Sequence, residues 1–265
     1  MKRVLVTGAG GFVGSHLIPL LDKVLTVHRR AEASEIPDFD VLVHLGARIG
    51  FDRNPEYFED NTERTRFWQK RCFERGAYMI FASTVSAASS DYGLSKKLSD
   101  NALRVSGVKH TILKMNGIYG LDGPSHLWLN DFISDVYWHR RPVRVYRLGD
   151  GKRNYICVDD VVRWIKELID VPQPGTLTLS GPDILSTSAY GRRVFDGLLL
   201  DETATWEPEK PNDGDRDFIV EGSPAPFELT HFSDYIEKLR DQRRGDTAIW
   251  NSLLYGHDIG RGATI

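Results

Sequence analysis

Close to the amino end, a short apolar run over residues 3–6 leads into Thr7-Gly8-Ala9-Gly10-Gly11-Phe12-Val13-Gly14. From Phe12 to Leu21 apolar residues then recur at helical spacing. Strand, glycine turn and helix in direct succession leave few folds open. So tight a turn needs glycine where the backbone takes angles that other residues avoid. In the arrangement that binds a dinucleotide, one glycine makes the turn and a second lets the backbone approach a pyrophosphate. A third lets helix and strand pack closely, and the start of the helix faces the phosphates. Gly8, Gly11 and Gly14 have this spacing. Together with Gly10, Phe12 and Val13 they are the first candidates for holding a cofactor.

The remaining pattern repeats the theme. Apolar runs at 24–27, 41–45, 78–82 and 111–115 read as further strands, and helical patterns cover 62–74 and 92–105. Strands alternating with helices predict a parallel sheet covered on both faces, wound by right-handed crossovers. Beyond about residue 120 the segments become mixed, with helical patterns at 131–139, 159–168, 188–199 and 231–240. The expected architecture is α/β, a Rossmann-type doubly wound parallel sheet with a smaller C-terminal α/β substrate lobe. Residues 1–120 form the dinucleotide-binding domain, with parts of 150–170 returning to it. Residues 121–240 form the substrate lobe, and residues 241–265 a docked or frayed tail.

Composition narrows the partners. The chain has 265 residues, 41% hydrophobic and 27% charged, with a formal net charge of −3. Ordinary globular usage excludes a disordered or fibrous chain. The small net charge offers no global field for nucleic acid or an acidic membrane. The two cysteines, Cys72 and Cys157, form no C-x-x-C pair and no metal-ligand spacing with the histidines, so no metal is expected. They read as reduced thiols in a cytoplasmic protein. With no export signal and no apolar stretch of membrane-spanning length, neither secretion nor a membrane span is expected.

Further blocks follow in order along the chain: Val43-His44-Leu45-Gly46-Ala47, Asn61, Phe81-Ala82-Ser83-Thr84, Tyr92-Gly93-Leu94-Ser95-Lys96, Asn116-Gly117-Ile118-Tyr119-Gly120, and Gly149-Asp150-Gly151 through Arg153 to Val158-Asp159-Asp160. With Thr7-Gly8-x-x-Gly11-Phe12-x-Gly14, this set resembles the extended short-chain dehydrogenase/reductase family, in its NAD-dependent epimerase/dehydratase branch acting on nucleotide-sugars. The resemblance covers residues 1 to about 235. Two connections are shorter than usual in the family, Arg30 to Val41 and Thr84 to Tyr92, a compactness more like the sugar 4-keto reductases.

Tyr92 and Lys96 stand four apart, so on a helix they share a face. A phenol is a poor acid–base group at neutral pH unless a nearby ammonium lowers its pKa. Lys96 is expected to do so, letting Tyr92 exchange a proton with a sugar oxygen. Thr84 would hold that oxygen near Tyr92. The resemblance also implies that Lys96 reaches the nicotinamide ribose. It places Leu45, Gly46, Ala47 and Asn61 along the cofactor, and Ser83, Thr84, Asn116 and Arg153 against the substrate. Arg153 would grip the diphosphate through bidentate guanidinium geometry, with Arg216 as a second phosphate contact.

At the end of the second strand, where an acid would favour NAD, stand His28, Arg29 and Arg30. Arginine there suits the 2′-phosphate of NADP. NADP(H) is therefore favoured, with NAD(H) possible, and Asp40 is a candidate for orienting the adenine end. No Asp-Glu pair follows Thr84 and no cysteine stands near it, which disfavours dehydration and multi-carbon epimerisation. The expected activity is reduction of a keto-sugar by hydride transfer. The alternatives are a nucleotide-sugar 4-epimerase retaining NAD and a non-catalytic NADP-binding regulator on the same fold. Asp159 and Asp160 read as structural, Trp128, Trp138 and Trp164 as core or interface, and a homodimer is expected from the resemblance.

Overall fold

Val4, Leu5 and Val6 are all buried. A strand with no solvent face must lie inside a sheet covered on both sides. The computed structural model describes residues 2–28, 30–50, 52–86, 90–138, 151–198 and 216–255, with side chains to residue 245. Along the chain run β1 (Val4–Thr7), α1 (Phe12–Leu17), β2 (Val24–Val27), β3 (Val41–His44), α2 (Arg64–Arg75), β4 (Tyr78–Thr84), α3 (Asp91–Arg104), β5 (His110–Met115) and β6 (Ile118–Tyr119). They are followed by α4 (Trp128–Trp138), β7 (Lys152–Arg153), β8 (Ile156–Cys157), α5 (Val158–Asp170), β9 (Gly175–Leu179), β10 (Leu185–Ser186), α6 (Thr187–Leu198) and α7 (Phe232–Tyr255).

Six strands form one parallel sheet in the order β2-β1-β3-β4-β5-β9. Side chains alternate across it. Val4, Val6, Val41, Val43, Ile80 and Leu113 pack with α1 and α5, whereas Leu5, Leu42, Met79, Phe81 and Ile112 pack with α2 and α3. The doubly wound arrangement read from the sequence is therefore present. The chain leaves β1 in one direction to reach β2 and in the other to reach β3. That reversal opens a crevice at the carboxyl edge, where ligands of such folds bind.

Several elements differ from the sequence reading. The helix after the glycine turn ends at Leu17 and continues only as a 3-10 turn, Ile18–Leu20, because Pro19 lacks the donor an α-helix needs. The expected helix at 62–74 begins with a π-helical turn, Phe58–Glu63. Among the described residues from β2 to β3 the chain makes one 3-10 turn, Ala33–Glu35, as the shortened connection suggested. The segment assigned to the second lobe sends β9 back to the sheet beside β5. Of the expected tail, residues 241–255 continue α7, and residues 256–265 lie outside the described residues.

A second apolar cluster joins α4, α6 and α7 around Tyr119, Ile133, Tyr190 and Phe232. Asp160 is fully buried, accepting from Thr230 N (2.7 Å) and Thr230 Oγ1 (2.9 Å), while Lys238 pairs with Asp159 at 2.6 Å. Both acids are structural, as read. Trp164 is core, and Trp138 is exposed with its indole N–H donating to Asp122 at 3.0 Å. Cys72 and Cys157 are free and buried, and burial pushes both thiols up to about 12. Among the described residues no helix is long and apolar enough to cross a membrane.

A Cβ at Gly14 would overlap the Gly8 carbonyl, whereas one at Gly10 would meet nothing within 4 Å. Gly14→Ala is expected to lower stability by about 1–3 kcal/mol through overpacking. Gly10→Ala is expected to stay within about 0.5 kcal/mol of the parent. Urea midpoints of the two variants check the contrast.

Candidate active site

The glycine turn and the loop after β3 meet at the reversal point of the sheet. Gly8 has a φ of +77°, and a Cβ on it would stand 2.6 Å from Gly46 N. Leu45 N donates to Thr7 O (3.1 Å) and Gly46 N to Thr7 Oγ1 (3.3 Å), so Leu45, Gly46 and Ala47 are laid against the turn. Gly10 and Gly11 are exposed, and the space over Gly10 is open. That open cradle, flanked by Phe12 and Val13, fits the pyrophosphate of a dinucleotide. The expected set Gly8 to Gly14 with Leu45 to Ala47 is thus brought together. Asp40 is not part of it. It accepts from Arg3 N at 2.7 Å at the opposite, amino-terminal edge of the sheet, and the adjacent guanidinium lowers it to about 2.

At the end of β2, His28 Nδ1 accepts from Arg30 N (3.2 Å) and closes a turn. Arg29 lies outside the described residues. The Arg30 guanidinium is half-exposed and engaged by Asp60, through Nη2 at 2.6 Å and Nε at 3.1 Å. Asp60 is fully buried and also accepts from Arg48 Nε at 2.9 Å. The sequence placed Arg30 in the cofactor site as a free cation, and here its charge is shared with a carboxylate. Asp60 and Arg48 were not identified from the sequence. Twelve residues separate them and thirty separate Asp60 from Arg30, so only the fold makes them neighbours.

The π-helical turn faces Asn61 inward. Its Oδ1 accepts from Arg48 N (2.8 Å), and its Nδ2 donates to Arg48 O and to Ser95 Oγ, both at 3.0 Å. Ser99 Oγ donates to Asn61 O (3.1 Å) and Thr62 Oγ1 to Ser95 O (3.1 Å). The Asn61 amide is therefore taken up in joining the β3 loop to α3. His44, buried below, joins Thr7 (Nδ1 to Oγ1, 2.6 Å) to Thr65 (Nε2 to Oγ1, 3.1 Å) and stacks on Phe81. Burial lowers it to about 3.

Ser90 caps α3 by accepting from Gly93 N at 3.1 Å, which fixes Tyr92 in the first turn. Tyr92 is half-buried with its ring edge-on to Tyr57, centroids 6.4 Å apart, and Tyr57 donates its hydroxyl proton to Asp52. Burial raises Tyr92 to about 12. Lys96 is buried with Nζ over the Phe81 ring at 4.1 Å, and burial lowers it to about 8 against the pull of Asp100. Both side chains face inward, as the spacing implied. The expected lowering of the phenol by the ammonium is not seen, because Lys96 runs beneath the helix toward β4 while the Tyr92 ring turns toward Tyr57. Thr84 ends β4 at the same edge, its Oγ1 accepting from Ser86 N at 3.1 Å. Ser83 does not face the crevice. Its hydroxyl is buried on the α3 side, near the Asp100 carboxyl but outside hydrogen-bond geometry.

The substrate-side residues divide in the same way. Asn116 donates through Nδ2 to Asn154 O (2.9 Å) and Oδ1 (3.1 Å), and accepts from Gly117 N. It pins the end of β5 to the second lobe. Arg153, half-buried on β7, donates to Lys152 O at 3.0 Å and to Arg216 O. The two arginines expected at the diphosphate are thus neighbours, although 63 residues apart. Gly149 and Asp150 lie outside the described residues. Among the described residues no group of three His, Cys, Asp or Glu side chains is placed to hold a metal.

The sequence profile of the NAD dependent epimerase/dehydratase family matches residues 4–177. The chain belongs to that family. In Pseudomonas aeruginosa, UDP-2-acetamido-2,6-beta-L-arabino-hexul-4-ose reductase is 26% identical over 191 residues, covering 63% of this chain and 50% of that protein. The chain therefore spans about half the length of this curated relative. The fold is that of UDP-N-acetylglucosamine 4-epimerase from Bacillus cereus (TM-score 0.77, 19% identity, 92% of this chain and 100% of that one). It is also that of UDP-glucose 4-epimerase from Thermus thermophilus, solved with NAD (TM-score 0.70, 21% identity, 92% and 99%).

His44 carries a pH prediction. Its folded value of about 3 lies below its ordinary 6.5, so below pH 6.5 the unfolded chain binds a proton that the folded chain refuses. Stability contributed this way is lost as pH falls from about 6.5 toward 3, by up to about 1.4 kcal/mol per pH unit. His44→Gln is expected to be less stable at pH 7 but to lose less between pH 7 and 5. Paired urea titrations at the two pH values check it, and equal losses would assign the effect elsewhere.

Proposed function

We propose that the protein reduces a keto-sugar carried on a nucleotide by hydride transfer from a nicotinamide dinucleotide, NADP(H) favoured, with Tyr92 as the acid. The observation that carries this reading is the arrangement at the carboxyl edge of the sheet, where Thr84 ends β4 and Tyr92 stands in the first turn of α3 with Lys96 one turn further on, facing inward. A tyrosine carries its proton at neutral pH. A protonated phenol is the form a reduction requires, because the carbonyl oxygen must gain a proton as its carbon gains hydride. The 26% identity to a sugar reductase supports the same direction.

The dinucleotide, when bound, supplies the hydride. The chain's own residues do the rest. Gly8 to Gly14 and Leu45 to Ala47 cradle the cofactor, and His28 and Arg30 stand at its adenosine end. Lys96 lies beneath the pocket with its ammonium over the Phe81 ring, and its role is to reach the nicotinamide ribose. Thr84 holds the substrate oxygen. Arg153 and the neighbouring Arg216 bind the diphosphate, which restricts the substrate to nucleotide-linked sugars. A second reading, a 4-epimerase retaining NAD, is favoured by the likeness to the 4-epimerases. Epimerisation starts by oxidation, with the tyrosine taking up the proton that the alcohol gives up. A cytoplasmic homodimer is part of the proposal, with exposed Leu94 and Leu98 on α3 and Phe73 on α2 as apolar surface for a second copy.

Tyr92→Phe is expected to cut turnover of UDP-keto-sugars by more than about a hundredfold with dinucleotide affinity unchanged. Single-turnover oxidation of NADPH reads the first and fluorescence titration the second. Substantial residual turnover would remove the assigned role. Because Arg30 already meets Asp60, its hold on a 2′-phosphate is expected at the lower end of a roughly ten- to hundredfold range. Titrating NADPH and NADH into the parent and Arg30→Ala tests this, with a loss confined to NADPH as the expected result. Equal affinities in the parent, or NAD carried through purification, would move the epimerase ahead.

A further inference from the structure

Asp60 stands in the π-helical turn ahead of α2 with no exposed surface, and each of its carboxylate oxygens meets an arginine. Oδ1 accepts from Arg30 Nη2 (2.6 Å) and Nε (3.1 Å), and Oδ2 accepts from Arg48 Nε (2.9 Å). Arg30 comes from the loop after β2 and Arg48 from the loop after β3. Their side chains are 50% and 35% exposed, so both guanidiniums remain open to solvent while the acid between them is closed off. The start of α2 holds the β2 loop a second time, where Arg64 Nη2 donates to Ala31 O at 2.9 Å. Backbone and guanidinium of that loop are thus both tied to the same turn.

This clasp changes what Arg30 can offer an anion. A guanidinium grips a phosphate best through two N–H groups of one edge. In Arg30 the Nε and Nη2 donors are both engaged by Asp60 Oδ1. Glu56 pairs with Arg48 Nη2 at 2.5 Å, so the cluster sets two cations against two acids. A phosphate approaching Arg30 meets a positive charge with a carboxylate about 3 Å behind it, and the attraction of the one is offset by the repulsion of the other. A ribose with free hydroxyls carries no charge and is indifferent to that balance.

We propose that Asp60 is a specificity-determining residue for the dinucleotide: by engaging the Arg30 guanidinium it weakens the hold on a 2′-phosphate and opens the site to a cofactor without one. The proposal rests on the reading of His28 to Arg30 as the adenosine end of the site. It deepens that reading, because an arginine at the end of β2 would by itself select strongly for the phosphate, and here an acid thirty residues further on moderates it.

The test is binding of NADPH and of NADH to the full chain without substrate, measured by calorimetry in the parent, Asp60→Asn, Arg30→Ala and the double variant. Asp60→Asn is expected to tighten NADPH about tenfold, the effect of one charge-assisted bond, with NADH unchanged. The double variant loses that gain, because the released guanidinium is its source. A structural role alone would change both dinucleotides together. No gain for NADPH in folded Asp60→Asn, an equal change in both dinucleotides, or a gain that survives removal of Arg30 overturns the proposal. Should Asp60→Asn fail to fold, the parent decides: a preference for NADPH greater than about tenfold overturns the proposal, and a smaller one upholds it. Binding of neither dinucleotide by the parent is the failure of the cofactor reading, which takes the proposal with it and is visible before any substitution is made.

Discussion

The backbone contact between Gly8 and Gly46 governs the site. Two adjacent parallel strands, β1 and β3, leave the sheet side by side, and their loops must pass closer than any side chain allows. Glycine at position 8 lets the amide of Gly46 lie against the turn, where it donates to the Thr7 hydroxyl while Leu45 N donates to the Thr7 carbonyl. Gly14 then seats the first helix on the Gly8 carbonyl. With those three positions fixed, the crevice at the sheet's reversal point is open at Gly10, and every candidate residue is placed relative to it.

Below the crevice the protein buries polar groups in number, and almost all of them are paired. His44 joins β1, β3 and α2, and Asn61 joins the β3 loop to α3. Asp60 holds two arginines. Such networks rigidify because any broken bond leaves a group unpaired in a low dielectric. They fix the backbone of Tyr92 and the direction of Lys96. They also explain why conserving a spacing on a helix is not enough to set a pKa. Tyr92 and Lys96 share a face, yet burial moves one up and the other down, and the tertiary path of each side chain decides what it meets.

The second lobe is attached by polar pins rather than by a broad apolar seam alone. Asn116 bonds Asn154, Asn154 bonds Val220, and Ser180 donates to Asn154. Gly120 lies against Phe12 of the glycine turn, so a Cβ there would stand 2.9 Å from the phenyl ring. These contacts set the position of β7, and with it Arg153, relative to the cofactor cradle. A substrate spanning the two is measured by that distance.

The sequence by itself determined the glycine turn, the alternation of strands and helices, and the pair Tyr92 and Lys96. All three are local patterns, set by backbone sterics and by periodicities of two and 3.6 residues. It also indicated the shortened connection after β2 and the structural nature of Asp160. Only the tertiary structure decided which polar residues are taken up in holding the site together. Asn61 and Asn116 carry side chains suited to ligands, yet the fold engages their amides with Arg48 and Ser95 and with Asn154. Arg30 meets Asp60 across thirty residues, and Asp40, which immediately precedes β3, falls at the amino-terminal edge of the parallel sheet, opposite the crevice. Charge and hydrogen-bond capacity are properties of a residue. Whether they are free for function depends on what the fold places within 3 or 4 Å.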